Sequence, residues 1–82
     1  MRGNKWRKKP VTIDAVQWKG SNVNEMAIFA GRNVRFFDDK LYIHTMEGVM
    51  KANIGDFIIK GVQGEFYPCN RDIFLETYDK VE

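Results

Sequence analysis

One cysteine, Cys69, and one histidine, His44, are the whole stock of thiol and imidazole in 82 residues. A single thiol excludes an intramolecular disulfide. With no disulfide framework and no secretory leader, the chain is expected in a reducing cytoplasm. Zinc sites of the common structural kinds need several His or Cys at short spacing, so no metal site is expected in the single chain. Long apolar runs are missing as well: none approaches the roughly 20 residues of a membrane helix, and no hydrophobic segment follows the basic N-terminus. The expectation is no membrane contact. No Walker-type or dinucleotide fingerprint occurs, and no cofactor is implied.

What is present suits one small globular domain: 44% of the residues are apolar, and 13 Lys plus Arg stand against 11 Asp plus Glu. The charge is unevenly placed. Arg2, Lys5, Arg7, Lys8 and Lys9 precede Pro10, leaving 8 basic against 11 acidic residues from there on. Residues 1–9 therefore read as a basic N-terminal arm and residues 10–82 as a single α+β domain. The arm offers either a solvated tail or a sequence-independent contact with nucleic acid. Trp6 within it is out of place on a loose tail, because an indole left in water forgoes its burial.

Pro10 opens the first element, and Val11 to Trp18 reads as a strand. Asn22 and Glu25 stand at the spacing of a helix N-cap and its reciprocal partner. Val23, Met26, Ala27 and Ala30 then mark one apolar helical face, closed by Gly31. Short extended runs follow, punctuated by turn residues: Val34 to Phe37, Leu41 to Met46, Val49 to Ala52, Phe57 to Val62 and Glu65 to Cys69. Pro68 places the last of these at an edge or near its end. Asn70 to Asp72 cap a helical turn at Ile73 and Phe74, and Glu76 to Val81 reads as a final strand. The fold predicted is a strongly bent antiparallel β-sheet of about five or six strands, closing in part like a small barrel, with one short helix from Asn22 to Ala30 packed on it. Exposed sheet edges and small size predict a homo-oligomer, with a dimer favoured.

The reactive inventory is thin. His44 and Cys69 form a nucleophile and base pair only if their strands are neighbours, and a lone His and a lone Cys are more often packing residues. The carboxylates Asp38, Asp39, Glu47, Asp56 and Glu65 fall in or beside turns, where they bond local backbone or stay solvated. Anion binding is better supplied. Lys60, Gly61 and Gly64 put a cation beside a turn whose backbone N–H groups can approach an anion, and Arg71 adds a second charge. Tyr67 or Trp18 would stack on a planar group, which makes Lys60, Gly61, Gly64, Tyr67, Arg71 and Trp18 the candidate ligand-binding residues. The structural alternative is that the glycines serve the turn and that Arg71 bonds Asp72. No catalytic residue is assigned.

The stretches Ile43 to Gly48, Asn53 to Cys69, Asp72 to Phe74 and Thr77-Tyr78, with Lys9-Pro10-Val11 and Ala15-Val16-Gln17-Trp18 in front, resemble a widespread family of small phage and prophage proteins. The chain is also similar to the broader group carrying a Pro-Gly-Asp-Tyr-Gly motif, with Ile54 in place of the proline and Phe57 in place of the tyrosine. The resemblance implies a virus-encoded accessory protein in a bacterial cytoplasm, and no reaction. The function expected is non-catalytic binding, such as host-defence antagonism by sequestering an anionic nucleotide-type ligand or by blocking a host protein. The alternatives are a nucleic-acid-binding accessory using Arg2, Lys5, Arg7, Lys8 and Lys9, and, third, a small hydrolase.

Overall fold

The computed structural model of the chain describes residues 3–7 and 9–81, so Arg2 and Lys8 of the basic arm lie outside the described residues. Six antiparallel strands form two three-stranded sheets, and two short helices complete an α+β fold. The strands are β1 (Asp14–Gln17), β2 (Val34–Phe37), β3 (Lys40–Thr45), β4 (Gly48–Ala52), β5 (Phe57–Lys60) and β6 (Phe66–Cys69), and the helices are α1 (Val23–Ala30) and α2 (Arg71–Thr77). One sheet has the order β2-β3-β4 and the other β1-β5-β6. Neither closes on itself, so the expected single bent sheet is resolved into two that face each other across the core.

The first sheet is a local meander. Asp38 and Asp39 both take positive φ, 53° and 60°, as a two-residue hairpin of the primed kind requires. The next reversal is held by Thr45, whose Oγ1 donates to the Gly48 carbonyl at 2.7 Å and accepts from the Glu47 N–H at 3.1 Å. The second sheet is non-local, because β1 pairs with β5, Asp14 opposite Lys60 and Gln17 opposite Phe57. Beyond β1 the pairing continues into the turn at Asn53–Asp56: Trp18 donates its N–H to the Asp56 carbonyl at 2.8 Å and accepts from the Gly55 N–H at 2.7 Å. Pro68 lies in β6, an edge strand of the sheet order, where its missing N–H is tolerated.

Alternation sorts each strand into two faces. Val16, Ile58 and Phe66 from one sheet meet Val34, Leu41, Ile43 and Ala52 from the other, with Trp18 and the α1 residues Met26 and Ala30 closing the core. The helix is rotated from its expected face. Val23 and Ala27 are exposed, while Phe29 sets its ring edge-on to Phe66, centroids 5.5 Å apart. Asn22 precedes the helix without capping its N–H groups. Its Oδ1 accepts from the Lys19 N–H, and its Nδ2 donates to the Gln17 carbonyl and to Glu25 Oε1.

Three expectations are corrected at the ends of elements. Val11 to Ile13 stay outside the ladder, because β5 ends at Lys60, opposite Asp14, and the chain then turns away at Gly61. A second helix replaces the single turn near Ile73, since the Asn70 side chain accepts from the N–H groups of Asp72 and Ile73 and gives it a firm start. No strand forms at Glu76 to Val81: α2 runs to Thr77, and Phe74 and Tyr78, four residues apart, share the face that covers Phe57.

Candidate functional site

Because β2, β3 and β4 hide one face in the core, their alternate residues share an outer face. In register across it stand Arg35, Tyr42 and Lys51, with Phe37 opposite Lys40 on one side of that row and His44 opposite Val49 on the other. Adjacent strands lie about 4.8 Å apart, so the Arg35 and Lys51 backbones flank Tyr42 at roughly 10 Å from each other. Tyr42 is half-buried, and the other six residues are exposed, Phe37 by 72%. An exposed phenylalanine, a tyrosine and three basic side chains thus occupy one sheet face.

The strands contribute no carboxylate to that face. Asp38, Asp39 and Glu47 sit in the turns at its ends. Among the described residues the one ion pair is Arg71 with Asp72, so no described carboxylate neutralises Arg35, Lys40 or Lys51. Cationic side chains beside aromatic rings on an open sheet suit a ligand that carries both anionic groups and planar bases. The sequence signal for this face is the alternation of β2 to β4, which assigns residues to faces only once the register is known.

The residues singled out in the sequence are not gathered in one place. In the Gly61 to Gly64 turn, the Gly61 N–H donates to the Glu65 carbonyl and the Gly64 N–H to the Gly61 carbonyl, at 2.7 and 3.0 Å. Glu65 Oε1 accepts from the Gln63 N–H at 3.0 Å, and its carboxylate fills the space where a side chain on Gly61 would stand. The turn is therefore already occupied by an anion of the chain itself. Lys60 lies at this end of the β5–β6 hairpin, whereas Arg71 follows its other end, beyond the Phe57 to Cys69 pairing. Three residues of strand separate the two ends, roughly 10 Å. Arg71 instead approaches Asp72, Nη1 to Oδ1 3.5 Å, with both side chains largely in solvent.

Trp18 is only 2% exposed and packs in the core at 5.8 Å from the Phe36 ring, so its indole presents no face to a ligand. Tyr67 is half-buried on the outer face of β6, beside Tyr78. Burial raises the Tyr67 phenol above its ordinary value of 10.0, and the Tyr78 hydroxyl, Glu65 and Cys69 push the same way. His44 lies on the outer face of β3, and Cys69 on the face of β6 turned away from the core, in register with Phe57 and Gln17. The core stands between them. Burial, and after it Asp56, raises the Cys69 thiol, which disfavours the nucleophilic thiolate.

Fold and outer face together define a small two-sheet α+β domain with a cationic, aromatic surface whose cations form no ion pair among the described residues. Comparison with family models, curated proteins and solved structures finds no match to this chain.

Proposed function

We propose that the protein is a non-catalytic binding protein that captures an anionic, base-bearing ligand, a nucleotide or a single-stranded nucleic acid, on the outer face of β2-β3-β4. The observation that carries this reading is the row Arg35–Tyr42–Lys51, two cations in register on either side of an aromatic ring with no described carboxylate to pair them. Phe37 lies diagonally from Tyr42 on the same face, within the 7–8 Å over which aromatic side chains act together across a sheet. Bases stacked on the two rings would leave phosphates over Arg35, Lys40 and Lys51. In a phage-encoded accessory protein of a bacterial cytoplasm, as the resemblance suggests, such capture would antagonise host defence by sequestration. The Gly61 to Gly64 turn, already filled by Glu65, offers such a ligand less than this face does.

The test is a fluorescence titration with a labelled oligothymidylate and, in competition, single nucleotides, on the parent, Arg35→Ala, Lys51→Ala, Tyr42→Ala and a variant lacking residues 1–9. Binding is expected to weaken with salt, with a log-log slope near −2 if about three phosphates are engaged. Tyr42→Ala should cost about 1–3 kcal/mol, the usual worth of one stacked base. Competition by a single nucleotide at similar affinity makes the ligand a nucleotide, and loss of affinity with shortening makes it a strand. Binding that disappears with residues 1–9 yet survives Arg35→Ala and Lys51→Ala belongs to the arm. No binding by any probe turns the reading to a host protein.

A further inference from the structure

The outer face of β2-β3-β4 is organised in three rows that cross the strands. Phe37 opposite Lys40 makes the first, Arg35, Tyr42 and Lys51 the second, and His44 opposite Val49 the third. Successive rows are two residues apart along the strands, about 7 Å. Each row carries one planar ring. Phe37 and Tyr42 are diagonal neighbours at about 7–8 Å, and His44 follows Tyr42 on the same face of β3. Phe37 and His44 are exposed and Tyr42 is half-buried, so the fold encloses none of the three.

The step between rings selects among base-bearing ligands. Bases stacked along a strand are about 3.4 Å apart, half the distance between rows, so a stacked strand cannot set neighbouring bases on neighbouring rings. A single nucleotide has one base and occupies one ring. A splayed single strand matches the spacing, because its extended sugar–phosphate repeat covers such a step and frees each base to lie against a side chain. The cations follow the same track. Lys40 and Arg35 flank the step from Phe37 to Tyr42, and Lys51, beside Tyr42 and diagonal to His44, flanks the step from Tyr42 to His44. Both internal phosphates of a trinucleotide therefore meet a positive charge. Past the outer rows the chain turns, with Asp38 and Asp39 at one end and Glu47 at the other, carboxylates that repel a phosphate backbone continuing beyond them.

We infer that the ligand of this face is a single-stranded nucleic acid held over three consecutive nucleotides, its unstacked bases on Phe37, Tyr42 and His44 in turn. The inference rests on the reading of this face as a binder of anionic, base-bearing ligands, and adds to it a footprint and a third platform. His44 acts here as a planar ring. Its place beyond the row of Arg35, Tyr42 and Lys51 gives the third base a surface that Val49, its partner across β4, does not supply.

The experiment is a competition titration in which unlabelled strands of one to five nucleotides displace a labelled pentamer from the full chain. It is run with oligothymidylates and with oligouridylates, and the tighter series names the sugar. Affinity is expected to rise at least fivefold with the second and again with the third nucleotide, and after that only by the number of registers a longer strand offers. His44→Ala should weaken the trinucleotide at least fivefold and the dinucleotide, which keeps Phe37 and Tyr42, by no more than about twofold. His44→Phe should bind the trinucleotide as the parent does. Both sites are exposed, so the thermal midpoint should not move. A mononucleotide as tight as the trinucleotide, affinity that climbs past three nucleotides by more than the registers, or a trinucleotide indifferent to His44→Ala would each overturn the inference, and with Tyr42→Ala still weakening binding the reading of the face would stand. Binding indifferent to Tyr42→Ala, or absent for every strand, would overturn both.

Discussion

The ring of Phe74 lies flat on that of Phe57, planes 5° apart and centroids 4.0 Å from each other, and this stack fastens α2 to β5. Phe74 is the one buried residue of that helix, so nothing else on it can replace the contact. Phe74→Ala is expected to cost about 3 kcal/mol, the lower end for truncating a buried phenylalanine, since this site lies at the surface of a small domain. At about 4–8 °C per kcal/mol the thermal midpoint should fall by more than ten degrees, and Phe74→Leu should fall less. Equal midpoints for parent and Phe74→Ala would show that α2 contributes nothing to stability.

The local elements were legible because turn chemistry and period are local. Asp38-Asp39, Glu47-Gly48 and Asn70 announce their reversals and cap within a few residues, and the strands between them follow by alternation. The pairing of β1 with β5 was not legible, since it joins residues forty or more positions apart and nothing in either segment names its partner. The candidate face failed to show for the same reason. Arg35, Tyr42 and Lys51 are separated in the chain and become a row only through register. Lys60, Gly61 and Gly64 attracted attention through adjacency, while Glu65, the residue that fills their turn, is a neighbour whose folding back no spacing rule predicts.

The β2–β3 hairpin carries removable strain. Asp39 holds φ at 60°, in the left-handed region that costs an L-residue about 1–2 kcal/mol. Glycine enters that region freely and repays part of the gain as unfolded-chain entropy, about 0.5–1 kcal/mol. Asp39→Gly is therefore expected to stabilise the protein by roughly 0.5–1 kcal/mol, read as a higher urea midpoint with unchanged slope. A lower midpoint would mean that the Asp39 side chain contributes more than its backbone costs.

Lys60→Ala and Arg71→Ala separate the two placements of the ligand. Arg71 forms an exposed pair with Asp72 at 3.5 Å, and such pairs contribute little, so its removal should change stability by less than about 0.5 kcal/mol. Lys60 lies beside a turn whose N–H groups at Gly61, Gln63 and Gly64 already have acceptors within the chain. Neither variant should alter oligonucleotide affinity by more than twofold, whereas Arg35→Ala and Lys51→Ala should lower it severalfold. Strong loss with Lys60→Ala would return the ligand to the Gly61 to Gly64 end of the hairpin.

Tyr67 makes stability depend on alkaline pH. Its phenol is raised from 10.0 in the folded protein, first by burial and then by Tyr78, Glu65 and Cys69. Below the unfolded value both states hold the proton, and the group has no pH-dependent effect. Between the unfolded and the folded value the unfolded chain has released a proton that the folded chain retains, so stability falls as pH rises through that window and levels off above it. Tyr67→Phe removes the proton from both states and should flatten this decline, at some cost to stability near neutrality from the lost interaction with the Tyr78 hydroxyl. The Cys69 thiol, raised from 9.0, acts in the same direction from a lower starting pH, so the comparison belongs in a Cys69→Ser background. Urea midpoints followed from pH 8 to beyond pH 10 should diverge less and less between parent and Tyr67→Phe as the phenol's window is crossed. Parallel curves throughout would mean that Tyr67 ionises alike in the folded and unfolded chain, and that its place beside Tyr78 leaves it solvated.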